Sequence, residues 1–237
     1  MTSIENFKSG MGSGLRKFFE DYEISIKELI NNLDSDGLLL RNFSEEQVTR
    51  LQNITKSCNM ALKLSKDFGS VFNSSNKKET EEKLECLKKA FNIGDTFRLG
   101  EHYHSILVNT YVTFLERLKI YFLFFIDWKK FGKNHKEIHG IGNAINFLKQ
   151  KYSTNKYLNY FDSGTRNSLT HYTFFWEHGQ GGKLKLCSDI FDTNPREMPL
   201  VKFMMEINEL NVLTEGFYIL LADKFGLPEI TLERMEK

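Results

Sequence analysis

The sequence predicts a mainly α-helical fold: a helical bundle with one small β-hairpin at about residues 172–188 and an additional N-terminal helical region. Long segments repeat apolar residues every three or four positions, as helices with one buried face do. The 237 residues include only three prolines, which interrupt helices. A single short segment alternates around a glycine-rich turn, which is typical of a hairpin. With 41% apolar and 27% charged residues, the composition is that of a soluble globular protein.

Three helices are predicted in the N-terminal region, residues 1–95. The first covers residues 15–33, where apolar residues recur at helical spacing until the stop signal DSDG. The second begins at Ser44, which is placed to form a capping box with Gln47. The third is ETEEKLECLKKAF, after the polar loop NSSNKK.

The second region, residues 96–237, contains the longest predicted helix, residues 103–130. Its second half is apolar on almost every side, which indicates burial in a core and against a second copy of the chain. A glycine-punctuated loop follows, and then a helix at 143–161.

After the segment DSG, a further helical stretch leads to the predicted hairpin, in which YTFFWE and KLKLCS flank the turn HGQGG. The last helix is predicted over residues 198–226, where Gly226 and the following Pro228 end it.

The charge is unevenly distributed although the formal net charge is only +1, which argues against a protein that coats nucleic acid. Residues 128–157 hold seven lysines against one acid, and residues 187–237 hold ten acids against five bases. The basic stretch is either an ordinary solvated face or a surface for RNA phosphates. The candidate RNA-binding residues are Lys149, Lys151, Lys156, Lys183 and Lys185.

The cysteines and the N-terminus indicate a reduced, cytoplasmic setting. Three cysteines without CxxC spacing disfavour a disulfide framework or a zinc ribbon. The first residues lack the apolar core of a signal peptide. The most apolar run, IYFLFFI, is far shorter than the ~18 apolar residues of a membrane span, and no membrane segment is expected.

Residues 166–171, RNSLTH, form the motif that carries the functional hypothesis. On a helix, Asn167 and His171 are four residues apart and share a face, and Arg166 lies beside Asn167. Arginine offers a cationic fork of donors to phosphate oxygens, and histidine exchanges protons near neutral pH. Asn167 can orient the imidazole or a phosphate oxygen. These groups suit attack of an RNA 2′-hydroxyl on the adjacent phosphate, a reaction that needs no metal or cofactor.

A purely structural alternative exists for the same motif. Arg166 would then pair with an acid such as Asp162, and His171 would cap the end of a helix.

RNSLTH, at the end of a helical region and before a hairpin and a last helix, resembles the motif of the HEPN superfamily, over roughly residues 100–225. The signature of that family is Arg, a polar residue and a His after four to six intervening positions. The resemblance implies a HEPN-like helical bundle in residues 96–237, with Arg166 and His171 as the catalytic pair and Asn167 beside them. Toxin members that are paired with a nucleotidyltransferase antitoxin often carry Tyr two places after the His, where this chain has Thr173, with Tyr172 one place earlier. Residues 1–95 resemble no known family.

Active HEPN members are metal-independent endoribonucleases of toxin–antitoxin, CRISPR and antiviral systems, whose paired motifs line a cleft between two copies. The resemblance therefore implies a homodimer that cleaves RNA, with an antitoxin or a regulatory protein as a further partner. The other hypothesis is a non-catalytic helical module that binds RNA, a nucleotide or a protein.

Two histidine pairs outside the motif give weaker signals. His135 and His139 have the spacing of a helical metal pair, but their glycine-flanked loop disfavours a metal site. His102 and His104 are expected to cap or pack.

Overall fold

The computed structural model describes residues 3–55, 77–91, 96–161, 164–170, 173–177, 182–189 and 191–227. Short 3-10 turns lie at Trp128–Phe131 and His135–Glu137. The described part of the chain is mainly helical with one small antiparallel sheet, as the sequence predicts. Its helices are α1 (Ser3–Ser9), α2 (Ser13–Ser35), α3 (described over 45–55), α4 (Lys77–Phe91), α5 (Thr96–Phe125), α6 (Ile141–Lys151), α7 (Lys156–Tyr160), α8 (Gly164–Thr170) and α9 (Leu200–Phe225). Its strands are β1 (Phe174–Glu177), β2 (Lys183–Leu186) and β3 (Arg196–Pro199).

The hydrophobic core is built around α9, against which α2 and α5 both pack. Phe19 from α2, Phe122 from α5 and Phe217 from α9 are fully buried. The Phe19 ring lies directly over Gly216 of α9, where any side chain would meet it. The N-terminal helices α1 and α2 therefore share one core with the helices that follow residue 96. The predicted boundary at residue 95 adjoins residues 92–95, outside the described ranges, and the division into domains stays a prediction.

The capping box predicted at the start of α3 is confirmed. The Ser44 backbone N–H donates to Gln47 Oε1 at 2.8 Å, and the Gln47 N–H donates to Ser44 Oγ at 3.2 Å. These two bonds satisfy backbone donors that the first turn of a helix leaves without partners.

The single helix predicted over residues 143–161 is two helices, α6 and α7. Asn155 caps α7, because its side chain accepts the Leu158 N–H at 3.1 Å. The Asn155 amide also donates to the Ser25 carbonyl on α2, and the Tyr157 N–H donates to Ser25 Oγ at 2.7 Å. Asparagine is among the strongest N-cap residues, so these tertiary bonds outweigh the helical periodicity across the break.

The second half of α5 is buried within the chain itself. Phe122, Phe125 and Ile126 are fully buried, and Phe124 stacks on Phe43 with ring centroids 4.6 Å apart. The prediction of a core helix is thus confirmed. The additional prediction, that α5 lies against a second copy of the chain, stays a prediction.

The predicted hairpin is part of a three-stranded antiparallel sheet of order β1-β2-β3. β1 pairs with β2 in the register Phe174 opposite Leu186, and β2 pairs with β3 in the register Leu186 opposite Arg196. Expecting two strands was therefore incomplete, because β3 is short and polar and its pairing depends on the second edge of β2. Both α8, which precedes the sheet in the chain, and α9, which follows it, pack against the sheet.

The last helix begins at Leu200 and ends at Gly226, whose φ of 63° is the left-handed conformation that glycine adopts readily. None of the helices in the described part of the chain is both long and apolar enough to cross a lipid bilayer.

Candidate functional site

Helix α8 carries the first five residues of the motif, including Arg166 and Asn167, and is anchored at its C-terminal end. Ser168 Oγ donates to the Cys187 carbonyl at 2.7 Å. The Thr173 N–H donates to the Ser168 carbonyl at 2.9 Å, and the Cys187 N–H donates to the Thr173 carbonyl at 2.8 Å. The residues on both sides of His171 are therefore fixed to the end of β2. His171 and Tyr172 themselves lie outside the described residues.

Arg166 is part of the packed interior, with only 8% of its surface exposed. Its guanidinium lies against the start of α6, where a Cβ on Gly142 would be 3.3 Å from Nη2 and 3.4 Å from Cζ. The glycine therefore makes room for the arginine. Asn167 lies on α8 next to it, but the Asn167 side chain, His171 and Asp162 are outside the described part of the chain. The convergence of the three motif side chains thus stays a prediction, as does its structural alternative.

The two candidate lysines on the sheet are ion-paired with carboxylates. Lys183 Nζ lies 2.8 Å from Glu197 Oε2, while Lys185 contacts Glu197 and lies 3.2 Å from Glu177. Hydrogen bonds from the two lysines lower the pKa of Glu197 to about 2, and the same contacts raise the pKa of Lys185. An RNA phosphate would have to compete with these carboxylates.

Two of the three candidate lysines on α6 and α7 contact α2. Lys151 Nζ lies 3.0 Å from Asp36 Oδ2. Lys156 Nζ donates to the Asp21 carbonyl at 3.0 Å and sits 4.4 Å from the centre of the Tyr22 ring. Lys149 is half-buried on α6. Lys151 and Lys156 therefore contribute to the contact with α2 and its C-cap, and an RNA-binding role for these lysines stays a prediction.

An open pocket of about 350 Å³ adjoins α8 and is the part of the site that sequence reasoning missed. It lies between α8, the end of β2, the following loop and the start of β3. Seven residues line it, five of them with polar or charged side chains: Ser168, Leu186, Cys187, Ser188, Asp192, Asn194 and Arg196. Since no periodicity links residue 196 to residue 168, only the pairing of β3 with β2 could reveal the pocket.

Arg196 connects this pocket to the motif helix. Its Nη2 donates a hydrogen bond to Thr165 Oγ1, the residue before Arg166. Glu206 of α9 lies in the same region. Burial raises the Glu206 pKa, which the positive charge of Arg196 partly offsets. A second guanidinium, that of Arg196, therefore lies next to the motif. Arg196 is exposed, whereas Arg166 is buried.

The loop that closes the pocket is held in shape by Asp192. Its carboxylate accepts the Ser188 N–H at 2.7 Å and the Asn194 N–H at 2.9 Å. These backbone hydrogen bonds lower the Asp192 pKa, because they stabilise the ionised carboxylate. Asp192 is therefore charged at neutral pH and fixes the residues on either side of it.

The other histidines and the cysteines give no competing site in the described residues. His104 stacks on Trp176 with ring centroids 4.1 Å apart, which confirms a packing role. His139 is exposed in a loop. Among the residues that the structure describes, no three His, Cys, Asp or Glu side chains gather as a metal site would require. Cys86 and Cys187 are free thiols.

Comparison with known proteins gives no identification, since no protein-family model, curated protein or solved structure matches this chain.

Proposed function

We propose that this protein is a metal-independent endoribonuclease of the HEPN type that acts as a homodimer. The observation that carries the proposal is the RNSLTH motif, whose Arg166 and Asn167 lie on a short helix directly before His171. His171 acts as the general acid or base, Arg166 stabilises the negative charge of the phosphorane, and Asn167 orients one of these groups. Such proteins serve as toxins or antiviral-defence effectors, which makes an antitoxin or regulatory protein a further partner.

The anchoring of α8 supports this proposal. Catalysis by fixed donors requires that they do not reorganise during the reaction. Arg166 is held between α8 and α6, and Ser168 and Thr173 hold the two flanks of His171. A reaction that uses the substrate's own nucleophile needs fixed groups of this kind, and these contacts therefore support the proposal.

The burial of Arg166 favours a second candidate function. Arg166 is only 8% exposed, so packing alone can account for its position. At least four of the five candidate lysines already contact acidic or carbonyl oxygens. A buried arginine and ion-paired lysines are compatible with a non-catalytic helical module that binds RNA, a nucleotide or a protein partner.

The two candidates differ in one measurement, cleavage of total RNA by the purified protein in the presence of a chelator. The proposal expects cleavage that leaves 2′,3′-cyclic phosphate ends and is abolished by His171→Ala. The matched control is His139→Ala, because His139 is an exposed histidine in a loop outside the motif. Both variants should melt at the wild-type temperature.

Arg166 requires an indirect perturbation, because Arg166→Ala would leave a cavity in the packed interior. Gly142→Ala instead places a Cβ 3.3 Å from Arg166 Nη2 and displaces the guanidinium by a few tenths of an ångström. Cleavage should fall about tenfold or more while the helix is retained, since small misplacements of catalytic groups are costly. Cleavage that survives His171→Ala, or a strictly monomeric active protein, would refute the two-copy ribonuclease.

A further inference from the structure

The pocket beside α8 is connected to the motif by hydrogen bonds. Ser168 lines the pocket and lies on the motif helix. The carbonyl of Cys187, which also lines the pocket, accepts hydrogen bonds from both Ser168 Oγ and Thr173 Oγ1, at 2.7 and 3.0 Å. Ser168 and Cys187, which help to fix the chain on either side of His171, therefore also line the pocket. Any molecule bound in the pocket lies next to the motif.

Arg196 gives the pocket a cation that can bind phosphate. Leu186 of β2 is opposite Arg196 in the sheet, and the Arg196 side chain reaches Thr165 on α8. A guanidinium has five N–H donors in a planar fork, so the exposed Arg196 can keep its bond to Thr165 and still contact phosphate oxygens.

Asp192 distinguishes a nucleotide from a bare anion as the occupant. Its carboxylate, ionised and held by the Ser188 and Asn194 backbone N–H groups, would repel inorganic phosphate. A nucleotide combines an anionic phosphate with a base whose amino groups donate to carboxylate and amide oxygens. The volume of about 350 Å³ lies within the range of small-molecule pockets, roughly 300–1,000 Å³.

We propose that this pocket binds one nucleotide of the RNA substrate next to the scissile phosphate, with Arg196 on its phosphate and Asp192 and Asn194 on its base. The inference rests on the proposed ribonuclease function and identifies the part of the RNA that the site holds. Arg196 is then a substrate-binding residue. It affects the affinity for RNA and leaves the chemical step to the motif.

Binding of a fluorescently labelled single-stranded RNA tests the pocket, with His171→Ala as the background so that the RNA stays intact. Arg196→Ala should weaken binding about tenfold, the effect of one charge-assisted hydrogen bond. Arg196→Lys should lose less, and Asn194→Ala should change the preference among bases. Arg41→Ala is the matched control, because Arg41 is an exposed arginine that pairs with Asp34 and is distant in sequence from the pocket residues. The Arg41→Ala protein should bind RNA like the background protein. Melting temperatures show which variants fold.

Competition with the labelled RNA identifies the occupant. Nucleoside monophosphates should displace it, and inorganic phosphate at the same concentration should not. Equal competition by phosphate, or unchanged binding by both Arg196→Ala and Asn194→Ala, would overturn the proposal. If Arg196→Ala fails to fold, Asn194→Ala and the competition experiment decide.

Cleavage assays separate this inference from the proposed function. In the active protein, Arg196→Ala should raise KM for RNA and leave kcat nearly unchanged. If Arg196→Ala cleaves RNA with the wild-type KM, the proposal that the pocket binds substrate is refuted and the proposed ribonuclease function stands. If the protein cleaves no RNA but binds nucleotides in a way that depends on Arg196, the ribonuclease function is refuted and the pocket stands as a nucleotide-binding site.

Discussion

The Phe19 ring of α2 packs directly on Gly216 of α9, and Gly216→Ala is the sharpest test of this packing. The added Cβ would overlap the Phe19 ring, with Cε2 nearest and Cζ 2.5 Å away. Ordinary carbon–carbon contacts are about 3.5–4.0 Å, so the ring or the helix must move by on the order of 1 Å. Phe19 is fully buried and has no solvent to move into.

Two opposing effects set the magnitude. Replacing a glycine inside a helix by alanine gains about 1 kcal/mol of helix propensity. Overpacking a well-filled core costs about 1–3 kcal/mol, and the overlap here is with an immobile aromatic ring, which places the cost at the upper end. The net expectation is a loss of about 1–2 kcal/mol in the free energy of unfolding, which lowers Tm by roughly 2–8 °C in a chain of this size.

Urea and thermal unfolding followed by circular dichroism measure this change, with Gly14→Ala as the matched control. Gly14 also lies in a helix, α2, but a Cβ there would have nothing within 4 Å. The control should therefore be neutral or stabilising by up to about 1 kcal/mol. Phe19→Leu should reduce the cost of Gly216→Ala, because it removes the ring. A Gly216→Ala protein as stable as the Gly14→Ala protein would refute the packing argument.

Two further predictions concern charged side chains, Arg117, which is buried, and Glu206, which is partly buried. Arg117 is fully buried and lies 2.6 Å from Glu215, so Arg117→Met should lower the free energy of unfolding by about 3–5 kcal/mol. Adding Glu215→Leu should recover most of this loss in urea unfolding, and a double variant no better than the single one would contradict it. Burial raises the pKa of Glu206, so the folded state resists its ionisation and stability falls as pH rises above about 4.5 through the raised pKa. Glu206→Gln should therefore raise Tm at pH 7 and match the wild type below pH 4.5; an equal difference at both pH values would contradict this.

The helices were predictable where local signals and burial agree. Ser44 and Gln47 specify their cap from neighbouring residues alone, and the apolar second half of α5 can only be buried. The break at Asn155 was not predictable to the same degree, because Ser25, 130 positions earlier in the chain, supplies an acceptor for its amide. Strand β3 was missed for the same reason, since its partner is the free edge of β2.

The candidate site divides in the same way. The sequence by itself determined the RNSLTH motif, its placement after a run of helices and the change to alternating strands, because these follow from residue types and short spacings. Only the tertiary structure decided that Arg166 is buried against Gly142, that the lysines of the sheet face carboxylates and that Arg196 reaches Thr165. These contacts join residues 8 to 31 positions apart, and such side chains meet only after packing and strand pairing have fixed the backbone.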